Sequence, residues 1–203
     1  MTFLPATAII AGGTGSRLGG NKLATKLGNV TLFDHAVHLA RGYTDIVIVV
    51  VRDEQADIPV NPLERVYDDP AIAGPLAGIA AALNWGQANG RTHILALASD
   101  TPFLPANLLD RLRHHINGDN IIFGDYDGRL QPLASLWPVS ALRHLPGYLA
   151  SGKKSVIGFG EYIGLVTVSW PLGEINPFFN INDPGDLSEA EQMFMLHLRN
   201  KSV

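Results

Sequence analysis

Cysteine is absent from the 203-residue sequence, so disulfides and thiolate-ligated metal sites are excluded. Charged residues make up only 17% of the chain, and the formal net charge is −4. Proteins that bind nucleic acid through their overall charge are strongly basic, so we expect no nucleic-acid partner here. An anionic ligand would have to be held by local features of the chain rather than by its global field.

Long apolar runs are also lacking, since no stretch approaches the roughly 18 uncharged apolar residues that a membrane helix needs. The opening MTFLPATAII has no basic residue, and its apolar run enters a glycine-rich stretch at once. This pattern is typical of a β-strand rather than of a signal peptide. We therefore expect a cytoplasmic protein without a membrane partner, and the lack of cysteine fits a reducing compartment.

Short apolar runs alternate with amphipathic segments along the chain. Strands are predicted at residues 7–11, 45–51, 65–67, 93–99, 120–124, 133–137 and 163–169. Helices are predicted at residues 31–42, 74–90, 105–116 and 183–200. This alternation predicts an α/β fold with a mostly parallel sheet and helices on both faces. No repeat, linker or low-complexity tract interrupts it, so a single domain spanning residues 1–203 is expected.

Three predicted strands are followed directly by residues that often bind ligands, namely glycine after one strand and aspartate after the other two. Ala11 leads into the glycine-rich stretch, Tyr67 into Asp-Asp-Pro, and Ser99 into Asp-Thr-Pro. In open α/β sheets, ligands bind outside the carboxyl ends of the strands. These three strand ends are therefore the expected location of a functional site.

The glycine loop, residues 12–20, has the sequence GGTGSRLGG, with five glycines in nine residues. Its backbone N–H groups can approach phosphate oxygens because no Cβ stands in the way. Two standard fingerprints fail: Leu18 takes the third glycine position of GxGxxG, and Asn21 takes the lysine position of the Walker loop. Arg17 and Lys22 still supply the positive charge that a triphosphate requires. The alternative is a surface turn with incidental basic residues.

Asp100 is the principal candidate for a metal ligand. It follows an apolar strand and precedes Thr101 and a proline, where a carboxylate can hold Mg²⁺ that bridges phosphate oxygens. Asp-Thr-Pro is also an ordinary turn signal, and the metal role is favoured by the glycine loop on a neighbouring strand. Asp69, after the third strand, is a second carboxylate near the expected nucleotide, with a turn residue as the alternative.

Several segments resemble the signature motifs of one family, the MobA-like nucleotidyltransferases. IIAGGTGSRLGGNK, at residues 9–22, is similar to LAGGxxxRMGGxDK, and residues 66–83 resemble the family's D…GPLAG block. ALASDTPFLPANLL, at residues 96–109, resembles the CDTPFL strand end. GRLQPLASLWP (128–138) and FFNINDPGDL (178–187) are similar to QPLxALY and NxNTPEDL. The resemblance spans nearly the whole chain, and the motifs occur in the family's order.

The resemblance implies a single-domain, three-layer α/β/α Rossmann-like nucleotidyltransferase fold. It also implies transfer of GMP from GTP to the terminal phosphate of Mo-molybdopterin, with Mg²⁺ as cofactor. The expected catalytic residues are Arg17, Lys22 and Asp100, and Asp100 is also the expected metal ligand. The residues expected to bind the nucleotide are Ile10, Ala11, Gly12, Gly13, Lys22, Asp69, Asp100 and Asn182. We further expect a monomer that meets molybdoenzymes or their chaperones only transiently.

The sequence departs from the family pattern in two places. The family's GGxDK is GGNK here, one residue shorter and without the aspartate. Valines occupy positions 49–51, at the end of the second strand, where an asparagine often helps to read guanine. Transfer from CTP, a sugar phosphate as acceptor, and a nucleotide-binding module that has lost catalysis therefore remain alternatives.

Overall fold

The computed structural model describes residues 2–11, 22–52 and 63–201, and the structural statements below refer to these ranges. The strands are β1 (Pro5–Ile10), β2 (Lys26–Leu27), β3 (Val30–Thr31), β4 (Val47–Val51), β5 (Glu64–Tyr67), β6 (His93–Ala98), β7 (Ile121–Tyr126), β8 (Arg129–Pro138) and β9 (Leu165–Trp170). The α-helices are α1 (Leu32–Tyr43), α2 (Pro75–Ala88), α3 (Leu108–Arg113), α4 (Leu145–Ala150), α5 (Val156–Ile163) and α6 (Pro184–Lys201). Short 3₁₀ helices cover Lys22–Ala24 and Val139–His144.

Seven strands form one sheet in the order β5-β4-β1-β6-β8-β7-β9. Only β8 runs against its neighbours β6 and β7, while the other pairs are parallel. The predicted mostly parallel sheet is therefore confirmed. Ile10 at the end of β1 lies in register with Val50 of β4 and Ala98 of β6. Because the three strand ends are level, the segments that follow them emerge at one edge of the sheet.

Apolar side chains cover the two faces of the sheet in alternation. Within β1, Ile9 packs into the cluster that includes residues of α1 and α3, whereas Ala8 and Ile10 pack into the cluster that includes α2, α4 and α5. Successive residues of a strand point to opposite faces, so a strand buried on both sides must be apolar throughout. The continuous run VIVVV of β4 meets this requirement, and all five of its residues are buried. The structure thus has the expected three layers.

The closing helix α6 lies against the small β2–β3 hairpin rather than against the main sheet. Leu27, Leu32, Ile181 and Ala190 form a third buried cluster between these elements. Helix α1 begins directly after the hairpin, where the Oγ1 of Thr31 accepts a hydrogen bond of 3.0 Å from the N–H of Asp34. This N-cap explains why the amphipathic pattern that begins at residue 31 forms a helix from Leu32 onward.

None of the helices described is long and apolar enough to cross a membrane.

Helices α4 and α5 are not among the predicted elements. Their segment contains Pro146 and several glycines, which lower helix propensity. Tertiary packing overrides this local preference, since Tyr148 and Phe159 are fully buried against each other and beside Trp137. The predicted helix 105–116 is shorter than expected, because residues 106–107 form a turn, α3 begins only at Leu108, and it ends at Arg113.

Helix α2 approaches β1 closely at Gly78. A Cβ added there would lie 2.8 Å from the Cγ2 of Ile10, so the helix or the strand would have to move. We expect Gly78→Ala to lower the free energy of unfolding, because a crowding cost of about 1–3 kcal/mol exceeds the gain of about 0.5–1 kcal/mol from replacing a helical glycine. Urea denaturation measures this change.

Gly42 is the matched control for Gly78. It is a helical glycine of α1 with no atom within 4 Å of an added Cβ. Gly42→Ala should therefore stabilise the protein by about 0.5–1 kcal/mol. If both variants were stabilised, the close packing of α2 on β1 would be contradicted.

Candidate active site

A cleft of about 390 Å³ opens at the carboxyl ends of β1, β4 and β6. Its described lining includes Ile10 at the end of β1, Arg52 after β4 and Asp100 after β6. The first turn of α2 and the segment before α6 complete the wall. The cleft therefore occupies the edge of the sheet where ligands bind in folds of this class.

Lys22, Asp100 and Asn182 meet in this cleft, although they are far apart in the sequence. The Nζ of Lys22 donates to the Oδ2 of Asp100, and it also donates to the Oδ1 of Asn182 over 2.8 Å. The side chains of Lys22 and Asp100 are only 13% and 14% exposed. This arrangement fixes a lysine ammonium between two oxygen acceptors at the floor of the cleft.

Backbone contacts explain why these three residues come together. Lys22 begins the short 3₁₀ helix that leads into the β2–β3 hairpin, and Asp100 lies two residues beyond the end of β6. The N–H of Ile181 donates to the carbonyl oxygen of Asp100 over 3.0 Å. Ile181 is fully buried between the hairpin and α6, so its neighbour Asn182 is held at the cleft.

One carboxylate oxygen of Asp100 has no hydrogen-bond partner among the residues that the structure describes. Its Oδ1 is buried and accepts no hydrogen bond from the part of the chain that the structure describes. A buried carboxylate oxygen without a donor is costly, and a hard divalent cation is a ligand that relieves this cost. Asp100 therefore fits the role of a metal ligand.

Within the described ranges, no group of three or more histidine, aspartate or glutamate side chains is placed to hold a metal ion. A cation at Asp100 would thus need most of its ligands from elsewhere. Mg²⁺ commonly takes one or two carboxylates from the protein and completes its octahedron with waters and substrate phosphates. The donor set at Asp100 matches this mode of binding rather than a cage made by protein side chains.

The first turn of α2 also faces the cleft. Gly74 precedes the helix with φ +70°, a left-handed conformation that favours glycine, and Pro75 follows at the first helical position. No side chain caps the start of the helix, and its first turn contains no acidic residue. The 14-residue helix therefore presents the positive end of its dipole to the cleft, which favours an anionic ligand there.

Of the other residues predicted to contact the nucleotide, Ile10 and Ala11 lie on opposite faces of the sheet. Ile10 lines the cleft, whereas the Ala11 side chain is buried on the opposite face of the sheet. Gly12, Gly13 and Arg17 lie outside the described residues, so their predicted roles stay predictions.

Asp68, rather than Asp69, lies in the cleft. The N–H of Asp68 donates to the carbonyl oxygen of Val51 over 3.0 Å, which extends the pairing of β4 with β5 by one residue. Asp68 thus shares the face of Val66, which packs with α2, and its side chain lines the cleft. Asp69 is exposed outside the cleft lining, and its Oδ1 accepts from the N–H of Ala71 over 2.9 Å. The resemblance pointed to Asp69, but strand alternation favours its neighbour.

Two further polar residues of the lining, Arg52 and Ser99, were given no role of their own from the sequence, although Ser99 was noted as a strand end. The Nε of Arg52 lies 3.4 Å from the Oδ2 of Asp68 at the far side of the cleft. Ser99, immediately before Asp100, is buried and also lines it. Both residues directly follow apolar strands, and the same strand-end rule that selected Asp100 would have found them.

Comparisons with known proteins show the family to which the chain belongs. Residues 7–162 match the family model of the MobA-like NTP transferase domain. The molybdenum cofactor guanylyltransferase of Rhizobium meliloti is 34% identical to this chain, over 94% of the chain and 91% of the relative. The enzyme of the same name from Rhizobium johnstonii is 36% identical over 92% of this chain and 91% of its own length.

Solved structures share the fold at lower identity. Molybdopterin-guanine dinucleotide biosynthesis protein A from Archaeoglobus fulgidus superposes with a TM-score of 0.76 at 24% identity, covering 94% of this chain and 98% of that one. The 4-diphosphocytidyl-2C-methyl-D-erythritol synthase of Anaerococcus prevotii gives a TM-score of 0.73 at 13% identity, covering 95% and 96%. The α/β/α nucleotidyltransferase architecture is thus confirmed, and the chain belongs to the family of MobA-like NTP transferase domains.

Proposed function

We propose that this protein transfers GMP from GTP to the terminal phosphate of Mo-molybdopterin, giving molybdopterin guanine dinucleotide and pyrophosphate. The observation that carries the proposal is the Lys22–Asp100–Asn182 cluster, which places a lysine ammonium beside a carboxylate whose Oδ1 is bare as far as the described residues go. The curated relatives named molybdenum cofactor guanylyltransferase support guanylyl transfer over other reactions of the fold.

The reaction is an in-line substitution at the α-phosphorus of GTP. An oxygen of the acceptor phosphate forms the new P–O bond, and the bond between the α-phosphorus and the α,β-bridging oxygen breaks, so pyrophosphate leaves with that electron pair. The acceptor oxygen is already anionic, so no general base is needed. Catalysis of this kind depends on positioning and on neutralising the phosphate charge.

The residues of the cleft have separate proposed roles in positioning the phosphates and neutralising their charge. Lys22 is proposed to bind the triphosphate and to neutralise charge that develops on the leaving pyrophosphate. Asp100 is proposed to hold Mg²⁺ through the bare Oδ1, and Asn182 to orient the Lys22 ammonium. Bound Mg²⁺ supplies charge neutralisation and geometric alignment of the phosphate oxygens. The start of α2 contributes further positive potential.

The glycine loop is proposed, from its sequence, to supply further contacts to the phosphates. It connects the end of β1 to Lys22, and its sequence suits a backbone cradle for phosphate oxygens. Arg17, within the loop, is proposed as a second cation for the triphosphate.

Cytidylyl transfer is the second candidate. The synthase from Anaerococcus prevotii, whose name includes a diphosphocytidyl group, shares the fold, so the architecture alone does not select the base. Valines also occupy positions 49–51, where an asparagine often helps to recognise guanine in the family. A sugar phosphate in place of the pterin and a binding module without catalysis are the remaining alternatives.

Nucleotide preference distinguishes these candidates. We expect GTP to bind more tightly than CTP, ATP or UTP when each is titrated calorimetrically in the presence of Mg²⁺. CTP binding equal to or tighter than GTP binding would contradict guanylyl transfer while leaving the transferase class intact. Binding of GTP without any transfer to the pterin would favour the module that has lost catalysis.

A further inference from the structure

Asn182 lies on a segment without regular secondary structure, between β9 and α6. Its side chain contacts Lys22, so the direction of that side chain depends on how the backbone of the segment is held. One contact is the bond from the N–H of Ile181 to the carbonyl oxygen of Asp100. Another is a bond of 2.7 Å from the N–H of Asn182 itself to the Oδ2 of Asp186.

Asp186 belongs to a reciprocal cap at the start of α6. The Oδ1 of Asp183 accepts from the N–H groups of Gly185 and Asp186 at 2.8 and 3.0 Å. In turn, the Oδ2 of Asp186 accepts a hydrogen bond from the N–H of Asp183 over 3.2 Å. An ordinary capping box ends with this pair of contacts. Here the carboxylate of Asp186 reaches one residue further and makes its shorter bond to Asn182.

We propose that Asp186 is a positioning residue for Lys22 and acts through Asn182. This inference rests on the proposed function, in which Lys22 binds the triphosphate. Without the carboxylate, the N–H of Asn182 loses its acceptor, and the residue is free to turn its Oδ1 away from Lys22. Among the described residues, the ammonium then keeps Asp100 as its one acceptor and is no longer fixed between two. Such a loss disturbs the orientation of the charged group toward the reacting phosphates.

Asp186→Ala tests the proposal with Asp183→Ala as a matched control. Each change removes one carboxylate and two backbone hydrogen bonds from the start of the same helix. The two variants should lose similar thermal stability, because both weaken the cap of α6. Only Asp186→Ala should lower kcat/KM for GTP, by about tenfold. Should either alanine variant fail to fold, Asp186→Ser and Asp183→Ser are compared instead. Serine keeps a polar group at the start of the helix, but its shorter side chain does not reach the N–H of Asn182 from position 186, so the same ordering of activity is expected.

Two further measurements separate positioning from a general loss of structure. In a double-mutant cycle, Asp186→Ala should add little to the loss of activity caused by Asn182→Ala, because both act on the same contact. Acetylation of Lys22 by acetic anhydride, followed by mass spectrometry, needs no substrate. Its rate should rise several-fold in Asp186→Ala and stay unchanged in Asp183→Ala, because only the former releases the ammonium from Asn182.

The proposal is overturned if the two variants lose activity equally, if their effects add to that of Asn182→Ala, or if Lys22 is acetylated at the same rate in both. The proposed function fails on a different result, namely the absence of GMP transfer by the unaltered protein. The acetylation comparison still decides the positioning role in that case.

Discussion

Asp100→Asn is expected to lower the rate of GMP transfer at least ~100-fold while leaving the fold intact, since it removes the hard anionic ligand proposed for Mg²⁺ at the reacting phosphate. The asparagine retains a carbonyl oxygen that can still accept from Lys22, so the local structure should persist. Turnover at matched, saturating Mg²⁺ measures the effect, and urea denaturation checks the fold.

Asp110→Asn is the control for this variant. Asp110 is an exposed carboxylate on α3, and its ion pair is with Arg113 of the same helix. The substitution makes the same chemical change away from the cleft, and the rate of transfer should stay near that of the unaltered protein. Near-normal turnover of Asp100→Asn would mean that another residue holds the metal, and the proposed role of the bare Oδ1 would be wrong.

Lys22→Ala is expected to weaken GTP binding by about ten- to a hundredfold, equivalent to ~1.5–3 kcal/mol for the loss of a charged hydrogen-bond donor to the triphosphate. The structure adds a second reason. Without the ammonium, the Oδ2 of Asp100 loses its ion pair, and Lys22 no longer offsets the negative charge of this carboxylate in the cleft. Isothermal titration calorimetry with GTP and Mg²⁺ measures the change in Kd.

Lys26→Ala provides the comparison for this variant. Lys26 is an exposed lysine on the nearby strand β2, and its removal makes the same change in net charge. We expect GTP affinity to change less than twofold in this control, because exposed charges are screened by salt. If Lys22→Ala bound GTP as tightly as the control, the shortened GGNK segment would not deliver its lysine to the phosphates, and Arg17 would have to supply the charge.

Much of the fold could be predicted because local pattern and tertiary structure agree there. The run VIVVV is apolar on both faces, and it forms the doubly covered strand β4. Residues 31–42 have helical spacing, and Thr31 caps the helix that forms. Helices α4 and α5 could not be predicted in this way, because burial of Tyr148 and Phe159 stabilises a segment of low helix propensity.

The site, like the fold, could be predicted only in part from local sequence patterns. Strand ends followed by glycine or aspartate indicated, from the sequence, the edge of the sheet at which the cleft opens. The meeting of Lys22 with Asp100 and Asn182, which are 78 and 160 positions away, depends on long-range contacts that local spacing does not encode. Resemblance to the family supplied Asn182, and strand alternation from Val66 would have favoured Asp68 over Asp69.

The central claim is that the α-phosphoryl group of GTP moves to the acceptor phosphate at Lys22 and Asp100. The most direct test incubates the purified protein with Mo-molybdopterin, Mg²⁺ and GTP that is radiolabelled at either the α- or the γ-phosphate. We expect the α-label to appear in molybdopterin guanine dinucleotide and the γ-label in pyrophosphate, with both formed at least ~100-fold more slowly by Asp100→Asn. Transfer of the γ-label to the pterin, or free GMP as the only α-labelled product, would contradict it.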